Sequence, residues 1–308
     1  MIRLSKYVLS LILLGSFAPL RAQEEVTETE SNVTVLPPLF DYPTVPEEIT
    51  EWQARNNWLV EHFWDNFDFK QKAVGHAQLV HAFRTFTVPI RFADAKVSLK
   101  SIDKLISKLK KQPGLLLQFT KVAEQECYDP KTSAVIIDQV YLPFLAAIHA
   151  DKKLPAVRKA RYEHQYQALN GCLVGDEMKS FDFVDRNGSP TKFNPVASKY
   201  TIIEFGDPDC SECIINKVRL ETDELLQNMC SDGTAQVYFI IPDADPDDDS
   251  WRNRVADYPH YWTVGAAPSA DEQIDLRYTP CIYVIGPDRK IISKNSTPDQ
   301  IHAILAAE

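Results

Sequence analysis

Two cysteines spaced as C-x-x-C, Cys210 and Cys213, follow the apolar run Tyr200-Thr-Ile-Ile-Glu-Phe205 and a Gly-Asp-Pro-Asp turn, and a helical pattern begins directly after them. Thiols placed this way at a strand-to-helix junction can form and break a disulfide. The first sulfur lies over the unpaired N–H groups of a helix start, which favour a thiolate, and the second falls within bonding reach. Cys210 is therefore assigned as the attacking thiolate and Cys213 as the resolving thiol. The competing readings are a static disulfide and half of a zinc site. Zinc would need two further ligands at suitable spacing, and no second C-x-x-C or H-x-x-x-H supplies them. Asp207, Asp209 and Glu212 crowd the pair with negative charge. Carboxylates disfavour a thiolate, against the helix dipole, so the dithiol is expected to behave as a reductant.

The surrounding pattern must hold these thiols in place. Residues 174–188 read as a strand alternating Phe181 and Phe183 into an Asn187-Gly188 turn. Strands are expected at 200–205, 236–241, 281–285 and 290–294, and helices at 211–229, 248–257, 270–277 and 298–307. That order implies a central sheet flanked by helices, an α/β domain spanning 171–308. Cys281 opens one of its strands, directly after Thr279-Pro280. A buried strand thiol is the favoured reading for it, and an alternative disulfide with the pair is the other. Cys172 with Cys230 is a candidate structural bridge that the sequence does not assign.

Residues 40–170 show a different texture, an all-α domain with helical patterns at 52–64, 71–86, 99–111, 113–127, 131–149 and 155–170 and no competing strand signal. Trp52, Trp58, Phe63, Trp64 and Phe67 form an aromatic stripe, read as core in preference to a ligand groove. His76 and His81 are five apart, not on one helical face as paired metal ligands would be. Cys127 reads as an ordinary helix-end thiol. No catalytic constellation is visible in this half.

Residues 1–22 carry a basic start, an apolar run interrupted by Gly15 and Pro19, and a small residue, Ala22, at a cleavage point. This is the pattern of a secretory signal peptide, shorter than the roughly 20 apolar residues of a membrane span. The expected location is the periplasm or the exterior, with no integral membrane segment after cleavage. Residues 23–39 read as a flexible acidic leader. Cleavage would remove Arg3, Lys6 and Arg21 and no acid, making the chain more negative than its formal net charge of −10. Such a chain repels phosphate backbones, so nucleic acid is not an expected partner. Six cysteines in 308 residues are too few for a disulfide scaffold. Asp243, Asp245 and Asp247 have the opening spacing of a calcium loop, but Asp248 replaces its glycine and Arg254 its closing glutamate, so no metal is expected there.

The strand leading into Cys210-Ser-Glu-Cys213, the Gly175–Gly188 segment and Tyr278-Thr279-Pro280 before an apolar strand together resemble the thioredoxin-like thiol-disulfide oxidoreductases of the exported TlpA and ResA type, over roughly 171–308. The helical half, with its Phe-Asp-Tyr-Pro start and Phe-Trp-Asp-Asn-Phe-Asp-Phe segment, resembles the DUF5106-type region found beside such domains in Bacteroidetes proteins, a family with no activity attached. The first resemblance implies a cis Pro280 abutting the thiol pair, with Thr279, Pro280 and Cys281 supporting the site and backbone near the proline pairing with substrate. It also implies protein thiols or disulfides as substrates, an envelope electron donor, and no cofactor beyond the Cys210–Cys213 disulfide. Asp209 departs from the aromatic residue usual there, and Ser211-Glu212 from Gly-Pro. A non-catalytic thioredoxin-fold binding module is the alternative that this acidic loop keeps open.

Overall fold

The computed structural model describes residues 36–133, 137–197 and 199–307. The signal-peptide pattern and most of the acidic leader fall outside them.

Among the described residues the first half holds six helices: α1 (Trp52–His62), α2 (His76–Ile90), α3 (Ala95–Leu109), α4 (Pro113–Cys127), α5 (Asp138–Ala150) and α6 (Ala156–Leu169). Their starts follow local chemistry. The Glu51 carboxylate accepts from the Gln53 and Ala54 amides and Asp94 accepts from Lys96, satisfying N–H groups that a helix start leaves unpaired. Pro113 opens α4, where a missing N–H costs nothing. α5 begins later than the sequence pattern suggests, because the Ile137 amide is taken by the Cys127 carbonyl at 2.9 Å and the chain turns at Asp129. The core is aromatic. Phe63, Trp64 and Phe67 are buried against Phe86 and Phe119, with Trp64 and Phe119 edge to face at 5.2 Å, a geometry that adds about 0.5–1.5 kcal/mol per pair beyond burial. Trp52 and Trp58 depart from the stripe: Trp52 is 64% exposed and Trp58 stacks on His62.

The second half is a mixed seven-stranded sheet with helices. Its strands are β1 (Asp182–Asp185), β2 (Pro190–Lys192), β3 (Tyr200–Phe205), β4 (Ala235–Ile241), β5 (Thr263–Ala266), β6 (Cys281–Ile285) and β7 (Ile291–Lys294), in the spatial order β2-β1-β5-β4-β3-β6-β7. β3 runs parallel to β4 and antiparallel to β6. All six β3 residues are buried, which accounts for the run's apolar, β-branched and aromatic character apart from Glu204. β2 and β5 were not expected. β2 is three exposed residues opened by a proline, and β5 is four residues containing Gly265. The helices are α7 (Ser211–Glu221), α8 (Glu224–Asp232), α9 (Ser250–Arg254) and α10 (Pro298–Ala306). The single helix expected over 211–229 is broken into α7 and α8, because the Asp223 carboxylate caps the Leu226 amide at 3.0 Å and starts a second helix. The expected 270–277 helix is reduced to a 3₁₀ turn at Ala270–Glu272.

The sheet carries a separate core on each face. Ile202, Val237, Phe239, Trp251, Val264 and Ile282 pack on one side with Cys213, Leu220 and Leu226 of α7 and α8. Phe181, Phe193, Ile203, Phe205, Tyr283 and Ile291 pack on the other with Cys172 and Ile274. Gly265 lets β1 close on β5: a Cβ there would lie 2.7 Å from the Val184 carbonyl oxygen and overlap the Phe183 ring. Gly265→Ala is expected to cost about 1–3 kcal/mol through this overpacking, read as a lower urea midpoint with an unchanged slope.

Candidate active site at the strand-to-helix junction

β3 delivers the chain from the sheet interior to a tight turn. The Asp207 carbonyl accepts from the Cys210 amide at 3.0 Å, and its carboxylate accepts from the Asp209 amide at 2.9 Å, so Asp207 sets the turn with both main chain and side chain. Cys210 then occupies the N-cap of α7. Its sulfur accepts from the Cys213 amide at 3.4 Å, as a capping oxygen would elsewhere. Cys210 is half-buried and Cys213 fully buried, both as free thiols. Burial pushes the Cys213 thiol well up, its contact with the Cys210 sulfur pushes it further, and the Glu204 charge adds to this. The Cys213 sulfur rests on Gly206, where any Cβ would stand 2.8 Å away. The arrangement is an accessible sulfur at a helix start with a protonated thiol directly behind it.

Behind Cys213 lies a group the sequence reading passed over. Glu204 is the one acid in β3 and is 1% exposed. Asn216 of α7 donates to its Oε1 at 3.4 Å, while its Oε2 has no partner among the described residues. Burial raises its carboxyl to about 8, Asn216 opposing the shift and the charge of Glu212 adding to it. Tyr258, whose buried hydroxyl also lacks a partner among the described residues, feels the charges of both Glu204 and Cys213, which raise its phenol further. An ionisable residue in a fully buried apolar strand was the available signal.

Two of the three carboxylates expected to tune the pair, Asp207 and Asp209, are not left bare. Arg254, at the end of α9, bridges Asp207 at 3.1 Å and Asp209 at 2.8 Å. Its guanidinium neutralises much of the charge that the turn brings to Cys210, and Glu212 stays in the first turn of α7. Arg254 lies far along the chain from these acids, so only the fold reveals the pairing.

The Thr279–Pro280 peptide is cis. Phe205 pairs with Cys281 across β3 and β6, so Pro280 directly precedes the residue paired with the end of β3. Thr279 is exposed. Cys281 is not brought to the thiol pair. Its side chain turns to the opposite face of the sheet with Cys172, where its thiol donates to the Asn295 side chain at 3.2 Å. The alternative disulfide with Cys210 or Cys213 is therefore excluded by the side on which the strand presents it. The candidate bridge between Cys172 and Cys230 fails for the same reason, since Cys230 packs with the α7 and α8 face.

Residues 19–171 match the family described as "Domain of unknown function (DUF5106)". No curated protein matches. Among solved structures, a thioredoxin-like protein from Bacteroides caccae is 21% identical and superposes at a TM-score of 0.72, covering 89% of this chain and 100% of its own. A conserved protein of unknown function from Bacteroides fragilis is 26% identical, with 43% of this chain and 98% of that one covered at a TM-score of 0.40. The thioredoxin domain of a thiol-disulfide oxidoreductase from Bacteroides vulgatus is 20% identical, with 44% and 96% covered at 0.36. The first superposition spans both halves of the chain and carries the fold. Residues 19–171 are thus similar to the family described as Domain of unknown function (DUF5106), and a thioredoxin-like fold completes the chain.

Proposed function

We propose that the protein is a thiol-disulfide oxidoreductase of the cell envelope that reduces disulfides in other proteins through Cys210 and Cys213. The observation that carries this reading is the half-buried Cys210 sulfur at the N-cap of α7, holding the Cys213 amide, with the Cys213 thiol buried behind it. The Cys210 thiolate attacks one sulfur of a substrate disulfide. That S–S bond breaks, a mixed disulfide forms, and the other substrate sulfur leaves as a thiolate. Cys213 then attacks the Cys210 sulfur, releases the second substrate thiolate, and leaves the Cys210–Cys213 disulfide, two electrons having passed to the substrate. Cys213 must lose a proton for this step. The ionised Glu204 carboxylate is the buried base whose charge reaches it, and a carboxyl raised to about 8 exchanges protons near neutral pH.

The direction follows from the same burial. A resolving thiol whose anion is disfavoured does not stabilise the reduced pair, which makes the pair a donor of electrons. An envelope electron donor must then restore the dithiol. The signal-peptide pattern of residues 1–22 supports placing the reaction in the periplasm or outside the cell.

The test is a redox titration of the pair in dithiothreitol and glutathione buffers, counting alkylated thiols by mass. A two-electron transition at or below about −250 mV, close to thioredoxin, is expected. A midpoint near about −120 mV would make the pair an oxidant. A pair that never titrates would leave the fold as a binding scaffold.

A further inference from the structure

The two halves of the chain meet at a buried cluster of charge. Asp275 and Arg277 precede the cis-proline loop, Lys294 ends β7, and Asp138 opens α5 of the helical half. Their side chains are 1%, 5%, 6% and 12% exposed. Asp138 accepts from Arg277 at 2.7 Å and from Lys294 at 2.9 Å, and Asp275 pairs with the same two cations. Arg277 also donates to the Tyr128 carbonyl at 3.2 Å and lies over the Tyr128 ring at 3.8 Å. Two acids thus balance two bases, and the helical half supplies one of the acids and the ring.

Arg277 is the residue directly before Tyr278-Thr279-Pro280. Pro280 directly precedes Cys281, whose partner across the sheet, Phe205, directly precedes Gly206, against which the Cys213 sulfur rests. Among the described residues nothing hydrogen-bonds the main chain of exposed Thr279, which leaves it open to pair with an incoming polypeptide. Tyr278 lines a cavity of about 340 Å³ with Asp138 and Lys294, so the loop and the cluster share a wall.

Resting on the oxidoreductase reading, we propose that Asp138 is a positioning residue: through Arg277, the helical half holds the loop Tyr278–Pro280 in the register that receives the substrate polypeptide beside the thiol pair. Without the Asp138 charge, Asp275 alone faces Arg277 and Lys294, and a net positive charge is left buried. Such a charge is not tolerated in a dry site. Arg277 must then swing toward water, and it moves the loop with it. The thiols themselves, on β3 and α7, stay where they are.

The experiment compares full-length wild type with Asp138→Asn. Insulin serves as the polypeptide disulfide, with dithiothreitol as donor, and 5,5′-dithiobis(2-nitrobenzoate) as a small disulfide that needs no loop. The expected result is a rise of about tenfold in KM for insulin with kcat nearly unchanged, the signature of lost uniform binding, and an unaltered rate with the small disulfide. Tyr128→Leu, which keeps all four charges, should raise KM by a smaller factor and serves if Asp138→Asn does not fold. Lys179→Ala, which removes hydrogen bonds to the Gln167 and Gln273 carbonyls at the same junction, should behave as wild type. Folded Asp138→Asn with a wild-type KM, or equal losses with both disulfides, overturns the proposal. If wild type reduces no insulin, the oxidoreductase reading fails separately. Amide exchange over 276–282 then decides the positioning, which requires faster exchange in Asp138→Asn.

Discussion

Cys213→Ser is expected to turn the protein from a turnover catalyst into a trap. Cys210 keeps its place at the start of α7 and still attacks, but nothing behind it can expel the bound partner. The mixed disulfide should accumulate and be visible by mass on non-reducing gels, disappearing with dithiothreitol. Turnover should fall on the order of 10³-fold or more, as when a covalent catalyst loses a member of its reacting set. Cys210→Ser should lose turnover to the same extent and trap nothing. A Cys210→Ser protein that still reduced insulin, or a Cys213→Ser protein that formed no adduct, would remove the covalent route.

Glu204→Gln has the second large effect, and it appears in both stability and rate. The Glu204 carboxyl is raised by burial from an unfolded value near 4.5 to about 8. The folded state therefore binds this proton more tightly than the unfolded state. Its contribution is fully present below about pH 4.5 and is lost as pH rises through about 8. At 1.36 kcal/mol per unit, the loss across that window is at most about 5 kcal/mol. Glutamine keeps the shape and carries no proton to lose. Wild type and Glu204→Gln should match in urea stability near pH 5, and the variant should be the more stable by several kcal/mol at pH 9. The same change removes the base behind Cys213, so release of the mixed disulfide should slow by about 10²-fold. Parallel stability curves for the two proteins between pH 5 and 9 would show that Glu204 does not titrate in this window.

Much of this site is written locally, and the sequence is legible where it is local. The apolar run into β3, the turn, and two thiols at the head of α7 lie within fourteen consecutive residues, and their chemistry follows from their spacing. The helical half was legible as helices because apolar residues recur on one face of each. What the chain did not disclose depends on register or on distance. Cys281 faces away from the pair because β6 pairs Cys281 with Phe205, whose side chain belongs to the far core, and one-residue register decides a strand's face. Arg254 reaches Asp207 and Asp209 only once α9 has folded beside the turn. The break between α7 and α8 was readable, since Asp223 is a strong cap, yet the helical period on both sides conceals it. β5 was obscured by its brevity and by Gly265, a residue that weakens any strand pattern.

The two cores of the sheet give the thiols a geography. Cys210 and Cys213 lie on one side, with Cys230 at the margin of that same core. Cys172 and Cys281 lie on the other, each fully buried, and Cys127 is sealed in the helical half. In the proposed reaction a mixed disulfide at Cys210 is resolved by the sulfur directly behind it, while the sheet stands between it and the pair that could otherwise divert it. Insulation of this kind would be a form of fidelity: six thiols share one chain, and the backbone wall of β3 and β6 keeps the two proposed to trade electrons out of reach of two that would only strand them.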